Sequence, residues 1–392
     1  MFYLLKHISI FARKFVMSGL YLHIPFCASR CIYCDFYSTV SLSLRDSYVD
    51  ALYREMILRQ KEFHQDGKNI KTIYLGGGTP SQLTGKELNL LFYYINKVWP
   101  SIDYTSDMEI TMECNPDDIT PTFIEILQHL PINRISMGVQ TFSDKQLKFL
   151  HRRHNAKEVT NAIRNLKNVG FKNINIDLMF GFPNETLEDF QEDLDQAILL
   201  DVTHISAYSL MYEEGTPLYH LLQMGKIQEI DEEISLKMYE ILIDKLTSNG
   251  YEHYEISNFA LPGYQSVHNS NYWHNIPYVG LGAAAHSYDL KTRRCNIANL
   301  QKYIQAINTG QISQEIEMID EQTHYNDLIT TALRTSEGIN VSELSHEYQA
   351  FLLDNSSKFQ EKGLLRFLNG HLSLTRKGLF ISDNIMSDLI KI

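Results

Sequence analysis

The sequence predicts an α/β fold in which parallel strands alternate with helices, followed by a smaller helical unit ending in a hairpin. Three observations carry this. Six short apolar runs alternate with amphipathic segments from residue 18 to about 212, a pattern that favours parallel strands with right-handed crossovers. Glycines and polar residues fall at the ends of these runs, where a parallel barrel gathers its working groups. Past residue 212 the alternation breaks, and from about residue 321 helices are followed by a turn-rich hairpin pattern. The alternation leaves open whether the strands close an eight-fold barrel or stop short.

Residues 1–16 contain no acidic residue and carry Arg13 and Lys14 near their end. A secretory signal places its charge first and small residues last, so that reading fits poorly. A short transit peptide and a docked helix with Leu4, Ile8, Phe11 and Phe15 on one face are alternatives. The preferred expectation is a start at Met17, with 1–16 untranslated or disordered. The first strand then covers 20–26. Val49, Leu52, Tyr53 and Met56 give a helix with one buried face. A strand at 70–75 ends in Gly76-Gly77-Gly78-Thr79-Pro80, and a helix follows at 86–98. Next come a strand at 108–113, a helix at 121–129 and a strand at 134–140. Val159, Ala162, Ile163 and Leu166 mark a helix capped by Gly170. After a strand at 174–180, Thr186 and Asp189 form a capping pair ahead of Leu187, Phe190, Leu194 and Ile198. The sixth strand is expected at 204–212, then a helix at 234–246 and an added strand at 251–259. Helices at 326–334 and 341–347 and a hairpin within 363–378 suggest a winged-helix-like end. The expected division is 1–16 extension, 17–250 barrel, 251–320 connection and 321–392 C-terminal unit.

At 392 residues and 44% hydrophobic, the chain can bury a large core and a smaller one. Its 47 acidic against 35 basic residues, a net charge of -12, argue against nucleic acid as a partner. No apolar stretch reaches the length of a membrane span, though peripheral contact stays open. A reducing, cytoplasmic location fits the unpaired thiols.

Three of the five cysteines, Cys27, Cys31 and Cys34, lie within eight residues of one another directly after the first strand. A disulfide framework wants an even number of cysteines in a small secreted chain. Structural zinc wants four ligands, usually in two separated pairs. Three thiolates on one short loop suit a [4Fe-4S] cluster with one iron left open; the other reading is a group of reduced thiols without metal. Cys114 and Cys295 are isolated and read as buried rather than ligating.

The C-x3-C-x2-C spacing after His23-Ile24-Pro25-Phe26 resembles the radical S-adenosylmethionine (SAM) superfamily. The resemblance implies a three-quarter (β/α)6 barrel and SAM chelating the open iron. Tyr21, Gly77, Gly78, Thr79, Glu113, Gln140, Arg152 and Asp177 match, in order, the SAM-contacting positions of oxygen-independent coproporphyrinogen III oxidases and their relatives. The resemblance runs from about Gly19 to Phe380. The chain departs from the oxidases at Asp35 and Phe36, where they carry a fourth cysteine, and in its shorter segment ahead of the barrel. His268-Asn269-x-x-Tyr272-Trp273 is similar to the signature of the haem-chaperone (HemW-like) branch. That likeness implies haem as cargo, held by His268, Tyr272 and Trp273 and passed to an unidentified acceptor protein. The alternative is that His268 and Asn269 brace a turn. His286 is a second candidate, expected nearer SAM than haem. Porphyrin decarboxylation, or radical chemistry on another substrate, are the competing functions.

Overall fold

The computed structural model describes residues 19–63, 69–104 and 107–392. The expected extension at 1–16 and the start at Met17 lie outside them. Strand β1 (Gly19–Ile24) shows why the barrel forms. Leu20, Leu22 and Ile24 are fully buried in the outer core, while the alternate Tyr21 and His23 face inward. Helix α1 (Arg45–Arg59) buries Val49, Leu52 and Met56. Then come β2 (Thr72–Gly77), α2 (Gly85–Val98), β3 (Glu109–Cys114), α3 (Pro121–Gln128) and β4 (Arg134–Gln140). Helices α4 (Asp144–Phe149) and α5 (Ala156–Asn168) precede β5 (Asn173–Phe180), α6 (Leu187–Leu199) and β6 (His204–Ser209).

Local signals set these boundaries. Thr84 with Glu87, Asn155 with Glu158, and Thr186 with Asp189 form reciprocal capping boxes, each contributing about 1 kcal/mol. Gly170, at φ +99°, turns the chain after α5. Strands β1 to β6 pair in parallel, each with the next. The curl does not close, because β1 and β6 take other partners.

After α7 (Pro217–Gln223) and α8 (Glu232–Ser248), the segment expected as one strand forms two, β7 (Glu252–Glu255) and β8 (Asn258–Ala260). The break falls at Ile256 and Ser257, whose backbone groups bond Arg334 and Ala207 rather than a strand ladder. β8 pairs antiparallel to β6. Beyond α9 (Val267–Trp273), β9 (Tyr278–Leu281) pairs parallel to β1. β10 (His286–Tyr288), β11 (Thr292–Asn296) and, after α10 (Leu300–Asn308), β12 (Gln314–Met318) extend that edge antiparallel. The resulting twelve-stranded sheet runs β12-β11-β10-β9-β1-β2-β3-β4-β5-β6-β8-β7. Residues 251–320 thus continue the barrel sheet and share its core through Leu300, Tyr303 and Ile307.

The C-terminal unit has its own core around Tyr325, Ile329, Leu352, Leu372 and Leu389. It contains α11 (Glu321–Ala332), β13 (Ile339–Asn340), α12 (His346–Glu361), β14 (Leu365–Leu368), β15 (His371–Leu374), α13 (Arg376–Leu379) and α14 (Ser382–Leu389). The helix expected at 341–347 is a 3-10 turn followed by α12, because Leu344 and Ser345 are extended. A three-stranded antiparallel sheet, β13-β15-β14, packs with these helices, as a winged-helix-like unit would. Arg293 on β11 joins this unit to the large sheet by pairing with Asp327 on α11 at 2.6 Å.

Candidate functional site

The cysteine loop leaves β1 and is held in place from several sides. Cys27 N–H bonds Thr39 O at 2.9 Å, and Thr39 N–H bonds Pro25 O at 2.7 Å. Between the cysteines, Ile32 enters a small core with Leu150, Met179, Phe182, Leu210 and Leu218. The loop therefore rests on residues of β5 and of the loops after β4 and β6. All three cysteines are free and partly exposed. Burial is the main cause that raises Cys27 and Cys34, the latter to about 11.

The glycine run after β2 packs directly on this loop. Gly78 N–H bonds Ile24 O at 2.9 Å and Thr79 N–H bonds Phe26 O at 2.8 Å. A Cβ at Gly78 would lie 2.7 Å from Ile24 O, so only glycine permits the approach. The Thr79 hydroxyl then points at Cys27 Sγ, 3.5 Å away.

Across the mouth, Glu113 at the end of β3 accepts from Tyr74 OH at 2.8 Å and Gly77 N–H at 3.0 Å. Burial, reinforced by the Asp177 charge, pushes Glu113 up to about 7; the Tyr74 hydrogen bond works against it. Burial also raises Asp177, which accepts from Asn175 at 2.8 Å. Arg152 spans the site: it donates to Asn115 Oδ1 at 2.6 Å, to Gly138 O and to Cys31 Sγ at 3.4 Å. Gly138 leaves room for this, since a Cβ there would lie 3.1 Å from the guanidinium and 3.0 Å from the Gln140 amide. Gln140 sits at a bulge with φ 71°, outside the comfortable range for its side chain.

These parts enclose a cavity of ≈ 440 Å³. Its walls include Cys27, Cys31, Cys34, Gly77, Gly78, Thr79, Glu113, Gln140, Arg152 and Asp177, all of them expected from sequence. Tyr21 is the exception: its hydroxyl meets His23 Nδ1 at 3.0 Å and its ring lines a different cavity. Residues that sequence reasoning missed are Tyr74, Asn175, Ser206 and Tyr208. Period-two alternation from Asp177 back to Asn175 was a usable signal for one of them.

Helix α9 carries the His268 motif and touches both cavities. Glu109 accepts from the backbone N–H groups of Val267 and His268, each at 2.8 Å, which anchors the helix start. Asn269 reaches the cysteine cavity, and Tyr272 and Trp273 line the other. His268 lines neither. It is 1% exposed, with Nδ1 at 2.8 Å from Thr72 Oγ1 and Nε2 at 2.9 Å from Tyr272 OH. Its ring stacks on Tyr74, 5.0 Å between centroids. As placed, it has no free nitrogen to offer an iron.

The second cavity measures ≈ 750 Å³. Aromatic rings of Tyr37, Tyr272, Trp273, Tyr278 and Tyr288 line it, with Arg293, Cys295 and α11 residues on its far side. His286 lies here, beside the residues expected for haem, rather than in the cysteine cavity where its expected nearness to SAM would put it. Of the two isolated cysteines expected to be buried, Cys114 is, whereas Cys295 is only partly buried because it sits on the wall of this cavity. Asp35 and Phe36 line both cavities.

The cysteine cavity suits an iron–sulfur cluster and a cationic amino-acid ligand. Among the described residues, no three His, Cys, Asp or Glu side chains converge on one ion position; a cluster does not need this, since each thiolate bonds a different iron. Glu113 and Asp177 face the cavity and form no salt bridge among the described residues. An ammonium group would offset their burial. Cys27, Cys31 and Cys34 would hold the cluster, and the glycine run with Glu113 would receive the amino group.

Comparison with known proteins places the whole chain in a family. The Radical SAM superfamily model matches residues 21–197, and the HemN C-terminal domain model matches residues 319–381. Heme chaperone HemW of Bacillus subtilis (strain 168) is 36% identical over 384 residues, covering 94% of this chain and 98% of the relative. Heme chaperone HemW of Escherichia coli (strain K12) is 38% identical over 272 residues, covering 68% of this chain and 69% of that protein. The fold matches coproporphyrinogen III oxidase (HemN) from Escherichia coli, a radical SAM enzyme, with a TM-score of 0.82 at 21% identity, covering 98% of this chain and 93% of that one.

Proposed function

We propose a haem-handling role for this chain, which belongs to the radical SAM superfamily and, within it, to the heme chaperone HemW family. It binds a [4Fe-4S] cluster and SAM in the cysteine cavity, carries haem in the aromatic cavity, and passes the haem to an acceptor protein. The observation that carries this reading is α9. One seven-residue helix sends Asn269 into the first cavity and Tyr272 and Trp273 into the second. A flat aromatic cargo fits a wall of tyrosine and tryptophan rings, which stack on its faces.

When bound, a cluster with one open iron would supply an electron-transfer centre and a coordination position for SAM. The chain's own residues orient the ligand. Glu113, fixed by Tyr74 and Gly77, faces a cationic group. Arg152 donates a hydrogen bond to Cys31 Sγ and so places a positive charge beside the cysteine loop. Five free cysteines suit a reducing compartment such as the cytoplasm. No helix among the described residues is long and apolar enough to cross a membrane.

The test is anaerobic reconstitution of the cluster, followed by haem titration and transfer to an apo-haemoprotein. A parallel incubation supplies coproporphyrinogen III, SAM and reductant. Saturable haem binding with transfer, and no decarboxylated porphyrin, is the expected result. Decarboxylation without haem retention overturns the reading in favour of the oxidase.

A further inference from the structure

The aromatic cavity contains two histidines, and they differ in what their rings can offer. His23 is committed: Nδ1 meets Tyr21 OH and Nε2 meets Tyr37 O, each at 3.0 Å. His286 opens β10 with an exposed side chain on the cavity wall. Its ring has no hydrogen-bond partner among the described residues. Partial loss of solvent, with the Arg293 charge nearby, lowers the pKa of His286, which favours the neutral imidazole and its lone pair.

Directly across the ladder, His286 is in register with Cys295 on β11. Side chains so placed are about 5 Å apart at Cβ, and both line the cavity. The thiol is the weaker donor of the two. Burial raises its pKa, and its Sγ lies 3.4 Å from Asn296 O as a donor. Two residues before it, Arg293 also lines the cavity, with its guanidinium shared between Glu317 and Asp327. An imidazole and a guanidinium around an aromatic-walled space of this size match a metalloporphyrin bearing carboxylates. Imidazole is a usual axial ligand for haem iron, and arginine takes a carboxylate by paired hydrogen bonds.

We propose that His286 is the axial ligand to haem iron in the aromatic cavity and that Arg293 exchanges one of its carboxylate partners, Glu317 or Asp327, for a propionate. This assignment rests on the haem-carrying reading above. It leaves His268 to brace Tyr74, and through it Glu113, from inside the barrel.

The experiment titrates haemin into the full chain with its cluster reconstituted, in wild type, His286→Ala, His268→Gln and Arg293→Gln forms. Cluster absorbance and the thermal midpoint are recorded for each. His286→Ala is expected to shift the Soret band and weaken haem binding by at least about tenfold, with cluster content unchanged. Added imidazole should restore the wild-type spectrum. His268→Gln should keep the wild-type Soret position even where its midpoint falls. Arg293→Gln should weaken binding without moving the band. An unchanged Soret band in folded His286→Ala protein overturns the assignment while leaving the haem-carrying reading intact, as does a shift confined to His268→Gln. If the wild type shows no saturable haem binding, the haem-carrying reading fails and the assignment with it.

Discussion

The cysteine cavity collects its walls from the carboxyl ends of β1 to β6, one barrel strand after another. The aromatic cavity draws on one barrel strand, the late strands β9 to β11, helix α9 and helix α11 of the C-terminal unit. The first is polar and charged, with two half-buried carboxylates, Glu113 and Asp177, and the half-buried Arg152. The second is walled mainly by rings, with Asp35, Arg293 and Asp327 as its charged groups. A parallel barrel delivers side chains to one end by construction. A cavity between a sheet edge and an added unit depends instead on how distant segments dock.

The sharpest way to break this comparison is to remove one cysteine. Cys27→Ala, Cys31→Ala or Cys34→Ala should abolish cluster absorbance and bound iron, whereas Cys114→Ala should retain both. Haem binding should survive all four changes if the cavities work independently. Loss of haem binding together with the cluster would show that the aromatic cavity depends on the cysteine loop.

Gly78→Ala comes next. Its Cβ would press on the backbone at Ile24 and Pro25, at a cost of about 3 kcal/mol. Chemical denaturation should show that loss, and cluster incorporation should fall with it. A variant of wild-type stability would mean that the glycine run does not set the loop position.

His268→Ala should lower stability by about 2 kcal/mol, because it strands the buried Thr72 hydroxyl and removes the partner of the half-buried Tyr272 hydroxyl. SAM affinity should fall with the loss of the ring that braces Tyr74. An effect on haem alone would reassign the residue to the aromatic cavity.

A further test concerns pH. Glu113 is held up to about 7, against 4.5 for an ordinary glutamate. Between these values the folded form binds a proton that the unfolded chain has released. Its contribution is therefore full below about 4.5 and is lost as pH rises through about 7. Glu113→Gln keeps the neutral form at every pH, so it should gain in stability relative to the wild type across that window. A constant difference between the two proteins would remove the claim.

The sequence exposed the cysteine cavity far better than the aromatic one, for a physical reason. Each of its parts sits at the end of an apolar run, so strand order alone brings Cys27, Gly77, Glu113, Gln140 and Asp177 to one rim. Tyr21 misled, because a strand residue six positions before Cys27 faces the interior lower down and turns toward α9 and β9. The His268 motif was visible as letters, but its geometry was not. On a helix, residues four apart share a face, so His268 and Tyr272 were already placed to bond each other, as they do. Nothing in the sequence joined His286, Arg293 and Asp327 to Tyr21. That meeting requires β9 to pair with β1 across more than 250 residues of chain, and hydrophobic periodicity does not encode such pairing. The split of 251–259 into β7 and β8 was hidden likewise, since it depends on Arg334 taking the Ile256 N–H.

Asp35 and Phe36 line both cavities and so form a wall common to the two, and Phe36 is 65% exposed. Occupancy on either side meets the same two residues. If SAM settles this wall in a position that favours haem, haem must favour SAM by the same factor, because coupling free energy between two sites is reciprocal. The ratio of haem affinities with and without SAM is then one measurable quantity for the pair of sites. Substituting Phe36 would alter that ratio from both directions at once.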